Sequence, residues 1–470
     1  MKKIVIQKYS LISADLFAVF LSYVLSTFIC NYLRGDNFHH VNLTHLSIIK
    51  IVNLIFMVIL FWQKQLYFKR RPNWEEIRII SKLLLVMLLV NLPILFIRNG
   101  EGLTNSRLFI IFWLLLFVAV PIFRSICKLF LDNVGVWRRE LFIVGVNENA
   151  FNGYKMLSES NLLGYRVKGF VDSRYPHSEI KINDRVIPVL KLDELYQQSN
   201  SAEILICLEE RRLPNHVKLI NRLQQKFLSV MILPQIEGLP LYGMEVNHFF
   251  GSEQLLLRLE NNLSSRFNRV VKLLFDYTMA LLILPFFVIV IAVVSLLIFL
   301  EDRGTPFFVQ PRIGKDGKLF HCIKFRTMHK NAEKMLATWR DHQDPLYLEY
   351  VANNYKLIND PRVTRIGKFL RRTSLDELPQ IINVLLATMS FVGPRPLLPD
   401  EVDEYPDGMF YYSQVRPGIT GLWQISGRSR TSFKERGRLD GWYIKNWSLW
   451  YDIVITIKTI QVVLLRDGAY

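Results

Sequence analysis

The chain has 470 residues, 51% of them hydrophobic, with mean hydropathy +0.20 and a formal net charge of +17. A single core does not organise that length, and the hydropathy lies between that of a soluble protein and that of a pure transporter, so membrane helices joined to sizeable aqueous domains are expected. The basic residues flank apolar segments, which points away from nucleic acid and toward the anionic cytoplasmic leaflet and phosphorylated substrates.

Apolar stretches at 11–33, 47–63, 78–98 and 107–131 each approach the ~20 residues of a spanning helix. The first follows MKK and has no small-residue cleavage site, which marks an anchor rather than a signal peptide. KQLYFKRRPNWEEIR (64–78) and KLFLDNVGVWRRE (128–140) are far more basic than 34–46 and 99–106, so both ends of a four-helix transmembrane bundle over 1–135 are expected on the cytoplasmic side. Asp15 falls in the first stretch, where it either marks an ion path or lies near the interface.

From Glu140 the pattern changes to short strands, ELFIVGV, YRVKGFVD and AEILICL, alternating with helical segments. This predicts a Rossmann-like α/β domain over 136–260. Its first turn, GVNENA, keeps Gly145 but has Asn147 and Ala150 where a dinucleotide loop has glycines, so a scaffold or oligomerisation module without dinucleotide is expected. Cys30, Cys127, Cys207 and Cys322 are scattered, which predicts neither a zinc site nor a disulfide framework.

Residues 273–300 are apolar and long enough to span, yet Arg266, Arg269 and Lys272 precede them and Arg303, Arg312, Lys315 and Lys318 follow. Basic flanks on both sides suit a segment that enters and leaves by the same face. Pro285 interrupts the helical pattern midway, so a re-entrant helix over about 267–300, broken at Pro285, is expected. The alternative is a fifth span with a proline kink. Near the C-terminus, YIKNWSLWYDIVITIKTIQVVLLR (443–466) mixes Trp447 and Trp450 with lysines, which fits either an interfacial helix or an aromatic core helix.

The region 261–470 concentrates arginines on glycine- and proline-rich turns, among them Arg371, Arg395 and Arg416, and a strand presenting Lys324 and Arg326. Such planar, permanently charged forks suit a polyphosphate. FLRRTSLDELPQ then places Asp376 and Glu377 directly behind basic residues. Ser374-Leu375-Asp376-Glu377 fits a helix capping box. A carboxylate among phosphate-binding arginines would repel the ligand unless it attacks phosphorus itself or holds a divalent cation.

Lys272 and Asp276 ahead of the proline-containing helix, KFRTM, SLDELPQ, SFVGPRP and RPGITGLWQISGR together resemble the bacterial polyprenyl-phosphate glycosyl-1-phosphate transferases. The motifs run from about 265 to the end, and the preceding helices and α/β domain resemble the long form. EGLPLYGMEV, LLLRLENNL and the terminal RDGAY look most like the undecaprenyl-phosphate galactose-phosphotransferases of O-antigen and capsule assembly. The resemblance implies a mostly α catalytic domain with a re-entrant helix in a multi-pass protein of the inner membrane, its catalytic domain on the cytoplasmic face. It implies transfer of a sugar-1-phosphate from a UDP-sugar to undecaprenyl phosphate, with release of UMP. Galactose is the first expectation for the sugar and glucose the next.

By the family pattern Asp376 is the nucleophile and Glu377 the Mg²⁺ ligand, with Arg371, Lys324, Arg326, Arg395 and Arg416 as substrate contacts. A homodimer is expected through the bundle and the α/β domain. Three departures stand out: Leu273 follows Lys272 in place of arginine, Leu284 precedes Pro285 in place of serine, and ATMS (387–390) replaces GDMS, removing an acid. None touches the nucleophile. The readings that compete are a direct displacement on the same substrates, in which Asp376 is a base or metal ligand, and a non-catalytic scaffold for polysaccharide assembly.

Overall fold

A computed structural model describes residues 2–34, 48–97, 102–158, 161–182, 185–207, 217–227, 229–234, 238–248, 255–259, 262–263, 265–352, 357, 359–403, 405–426 and 432–465. Residues 35–46 and 99–101 of the two less basic loops lie outside these residues, as does the terminal RDGAY. Two compact units emerge, Met1–Ile236 and Glu237–Tyr470.

The first unit opens with helices α1 (Lys2–Arg34), α2 (Ile48–Gln63), α3 (Asn73–Ile97) and α4 (Gly102–Asn133). They share one core containing Ala18, Met57, Phe61, Leu84 and Val120. By length and composition α1 and α4 can cross a membrane, whereas α2 is shorter. The polar residues of this bundle meet inside it. Arg124 of α4 donates to Asp15 of α1 at 2.7 Å and to Glu76 of α3 at 2.9 Å. Lys128 bonds the other oxygen of Glu76, and the Tyr67 hydroxyl donates to Asp15 at 2.9 Å. Asp15 is therefore not bare: it is fully buried between helices and balanced by a guanidinium.

The chain continues through β1 (Arg139–Val144), α5 (Glu148–Ser158), β2 (Tyr165–Val171), β3 (Glu179–Ile182), β4 (Arg185–Leu190), α6 (Leu192–Tyr196), β5 (Glu203–Ile206), α7 (Val217–Lys226) and β6 (Ser229–Ile232). These strands form one sheet in the order β3-β4-β2-β1-β5-β6, parallel except for the edge strand β3. Strand alternation splits β1 between two cores, Leu141 and Ile143 under α5, Phe142 and Val144 under α6 and α7. At the end of β1, Asn147 caps α5 by accepting from the Ala150 amide at 2.8 Å and donates to the Cys207 carbonyl at 2.6 Å. The side chain that replaces a loop glycine thus ties the turn to β5.

The second unit begins earlier than the sequence suggests. The hairpin β7 (Glu245–His248) and β8 (Leu255–Arg258) belongs to it rather than to the sheet domain, so the boundary expected at 260 falls near 236. Polar contacts explain the shift: the Leu241 and Tyr242 amides donate to Asn446, and Lys445 donates to the Gly238 carbonyl.

Next comes α8 (Arg266–Asp302), 37 residues with Pro285 inside it. The expected interruption of helical structure at Pro285 is not present, because a proline removes one hydrogen bond without necessarily ending a helix. One face of α8 packs Ala280, Val294 and Ile298 into two cores of the unit. The opposite face exposes Leu282, Phe286, Ile289, Leu296 and Leu300.

The remaining elements are the hairpin β9 (Phe307–Ile313) and β10 (Leu319–Phe325), then α9 (Ala332–Asp341), α10 (Pro345–Ala352), α11 (Arg365–Thr373) and α12 (Gln380–Leu385). They continue with β11 (Ser390–Val392), α13 (Pro406–Tyr412), β12 (Gly418–Thr420), α14 (Leu422–Ile425), α15 (Phe433–Lys445) and α16 (Leu449–Leu465). The segment 443–466 is thus two helices, parted at Asn446–Ser448. Trp447 is buried and donates to Asp452 at 3.1 Å, so it is a core side chain rather than a headgroup anchor. In the ATMS segment Ala387 has φ +55°, a left-handed position that glycine occupies without cost.

Candidate active site

The carboxylate pair sits on a single 3-10 turn, Leu375–Glu377, between α11 and α12. Ser374 ends α11 in the left-handed region, φ +57°, and its hydroxyl caps nothing. The capping-box expectation is therefore corrected: a helix of only six residues starts after the pair, at Gln380, and the serine serves as the corner that separates α11 from the turn. Thr364 is the true cap of α11, its hydroxyl accepting from the Gly367 amide at 2.9 Å.

Two local devices bring basic groups to this turn. Asn383 of α12 pairs with the free edge of β10, accepting from the Ile323 amide at 3.0 Å and donating to the His321 carbonyl at 2.7 Å. This fixes α12 beside the strand that carries Lys324, whose ammonium reaches Glu377 at 2.8 Å. On the other flank, Gly367 lets α11 touch the loop after β10: a Cβ there would lie 2.0 Å from the Thr327 carbonyl oxygen. One turn later Arg371 donates to the Thr327 hydroxyl at 3.0 Å.

A third group arrives from the GPRP turn. Strands β11 and β12 pair in parallel so closely that a Cβ on Gly418 would lie 2.1 Å from the Gly393 nitrogen. Beyond this crossing Arg395 approaches Glu377 at 3.4 Å. Arg436 of α15, buried among Trp423, Tyr405 and Phe433, donates to the Arg395 carbonyl at 2.9 Å and steadies the turn. Arg312, Cys322, Gln380 and Gln424 complete the cleft with Lys324, Glu377 and Arg395. Strand register could have found Arg312, since it faces Phe320 across the hairpin, on the same face as Lys324. Arg436 and Asn383 carry no local signal, because each acts through a backbone group distant in sequence.

The structure therefore joins Asp376, Glu377, Lys324, Arg371 and Arg395 in one neighbourhood. Arg326 goes elsewhere: it pairs with Asp302 at 3.1 Å and packs on Gly304 at the end of α8. Arg416 lines a different groove, with Lys315 and the start of α8.

Electrostatically the two carboxylates differ. Glu377 is held by cations, whereas burial pushes the half-buried Asp376 carboxyl up to about 6. Glu377 adds to that rise, and Lys324, Arg371 and Arg395 oppose it. A carboxyl with this value is ionised at neutral pH and poorly solvated, the state of a competent oxygen nucleophile. Activity that needs the carboxylate should fall as pH drops through about 6, read as the acid limb of kcat/KM. Lys324→Met removes an opposing cation, so its acid limb should move to higher pH.

Comparison with known proteins identifies the family. Residues 267–466 match the family model described as bacterial sugar transferase. The chain is similar to the undecaprenyl-phosphate galactose phosphotransferase of Salmonella typhimurium, with 36% identity over 87% of this chain and 86% of that protein. It belongs to the bacterial sugar transferases. The transferase is likewise 36% identical to the UDP-galactose-lipid carrier transferase of Erwinia amylovora, over 87% of this chain and 86% of that protein. Identity to the UDP-glucose:undecaprenyl-phosphate glucose-1-phosphate transferase of Escherichia coli is 28%, over 85% of each. The catalytic class follows: this is a phosphoglycosyl transferase. All five residues gathered at the turn fall inside the family match, as do Arg326 and Arg416.

Proposed function

We propose that the transferase moves galactose-1-phosphate from UDP-galactose to undecaprenyl phosphate through a covalent intermediate on Asp376, as the first membrane step of a surface polysaccharide. The observation that carries this reading is the half-buried Asp376, raised to about 6, beside a Glu377 already engaged by Lys324 and Arg395. An Asp376 oxygen attacks the sugar-bearing phosphorus of the donor. The bond from that phosphorus to the bridging oxygen breaks, and UMP leaves with that oxygen. An oxygen of the lipid phosphate then attacks the same phosphorus, the bond to Asp376 breaks, and the carboxylate is restored with a lipid diphosphate-sugar as product. Arg371 and Arg395 would bear the charge of the diphosphate.

The pair also suits Mg²⁺, which binds through one or two carboxylates plus substrate phosphates and needs no protein cage. Repulsion between the two acids is itself part of the rise at Asp376. Glu377 would hold the ion, which supplies charge neutralisation at the leaving phosphate when bound.

A re-entrant α8, with the catalytic unit on the cytoplasmic face of the inner membrane, is supported by how its two ends are tied. Near the start, Asp276 accepts from Ser390 at 2.8 Å and from the Phe391 amide at 3.0 Å. Near the end, Glu301 accepts from the Arg365 amide and Asp302 from the Lys330 amide, both at 2.9 Å. Both ends thus bind the catalytic unit, which supports keeping them on one side. Since α8 stays helical through Pro285, it would dip into the leaflet along its exposed face without a break.

Incubating the purified protein with donor radiolabelled in the sugar and no lipid acceptor should leave label on the protein and release one UMP per site. Absence of label on enzyme that turns over fully once acceptor is added favours the direct displacement. Parallel UMP-release assays with UDP-galactose, UDP-glucose and N-acetylated UDP-sugars should rank galactose first, and equal rates with glucose would remove that part of the reading.

A further inference from the structure

We infer that the second unit carries a site for the phosphate of an anionic bilayer phospholipid, separate from the reacting carboxylates. A groove of about 410 Å³ opens at the start of α8, with Leu263, Val270, Leu273, Val415 and Trp447 among its walls. Arg266, Arg269, Lys315 and Arg416 also line it. Among the described residues none of these four cations has an acidic partner, although such surface charges commonly pair. Lys272 at the floor is a different case, since it bonds Asp276, Asp452 and the Val392 carbonyl. Even with both aspartates set against Lys272, the groove keeps a clear positive excess.

Apolar walls with unpaired cations fit a molecule having one anionic phosphate and an apolar body. A free phosphate ion would use only the charges. From the groove, exposed Phe267, Val270, Leu274, Leu281 and Val288 form one stripe along α8, a track of helical spacing for an acyl chain. Asp376, Glu377 and Lys324 are not among the groove's lining. The paired β11 and β12 part the two places: Val392 and Arg416 face the groove, whereas Gly418, Ile419 and Arg395 face the cleft at Glu377. A lipid seated here is held, not consumed, and so is drawn from the bilayer.

The test titrates full-length protein in neutral detergent with fluorescent-chain phosphatidylglycerol. Saturable binding is expected that resists excess inorganic phosphate and phosphatidylcholine of the same chains. Arg269→Gln with Lys315→Gln should weaken it about 30-fold, from two basic contacts to an anionic headgroup. The pair Arg269→Lys with Lys315→Arg, which keeps both charges, should retain it and excludes misfolding as the cause. Unchanged affinity in the glutamine variant overturns the inference, as does equal displacement by inorganic phosphate or phosphatidylcholine. Preferential displacement by undecaprenyl phosphate also overturns it, because the groove would then belong to the acceptor.

Discussion

Asp376→Asn should lower UMP release by at least about 10⁴-fold, because no other group replaces a nucleophile held at the reacting phosphorus. The same substitution should leave the melting temperature unchanged or raised at pH 7.5. The sign follows from linkage. An acid whose folded value is about 6, against about 3.9 unfolded, binds its proton more tightly in the folded state. Below pH ~4 the group is protonated in both states and costs the fold nothing. Between ~4 and ~6 the cost grows, and above ~6 it is fully present. Asparagine carries no such charge, so any gain in stability should appear at neutral pH and fade in acid. Residual turnover near the parent rate would remove Asp376 from the nucleophile role, and a collapsed melting temperature would show that the loss came from unfolding.

Gly367→Ala should lower the rate by about 100-fold although it lies nine residues from Asp376. Alanine is the better helix former by about 1 kcal/mol, so propensity alone predicts a gain. Packing reverses the sign. The new methyl would lie 2.0 Å from the Thr327 carbonyl oxygen and 2.7 Å from its carbon, both backbone atoms that cannot rotate away. Relief requires α11 to move, which breaks the Thr364 amide bond to that carbonyl and the Arg371 bond to the Thr327 hydroxyl. Overpacking of this kind costs about 1–3 kcal/mol. A shift of about 1 Å at the turn costs about 100-fold in rate. The check is kcat beside thermal midpoint, with Arg371→Gln as reference: parent-like kcat in Gly367→Ala would mean that α11 does not position the turn.

The parts of this architecture that were legible in the chain are those written in local patterns. Apolar runs announced α1, α4 and α8, and short apolar strands alternating with helical segments announced β1, β2 and β5. The gathering of Asp376 and Glu377 with Lys324, Arg371 and Arg395 was legible because glycine, proline and arginine motifs name their turns. What stayed hidden depends on contacts between residues distant in sequence. Ser374 to Glu377 reads as a capping box, yet the tight approach of α11 to Thr327 puts Ser374 in a left-handed corner. Arg326 follows Lys324 by two residues and so reads as its companion, but the strand ends at Phe325 and Asp302 takes the guanidinium. Trp447 reads as a headgroup residue until Asp452 is seen to accept from its indole. The boundary near 236 was missed because Asn446 recruits the Leu241 and Tyr242 amides across some two hundred positions.

The charge network inside the bundle bears on how the protein is made. The helix carrying Asp15 is synthesised first, and the guanidinium that neutralises it comes 109 residues later, on α4. Until then Asp15 lacks its partner, and a lone carboxylate within a spanning helix costs about 3 kcal/mol. The opening helix therefore gains its full stability only when the closing one arrives, which couples the two ends of the bundle.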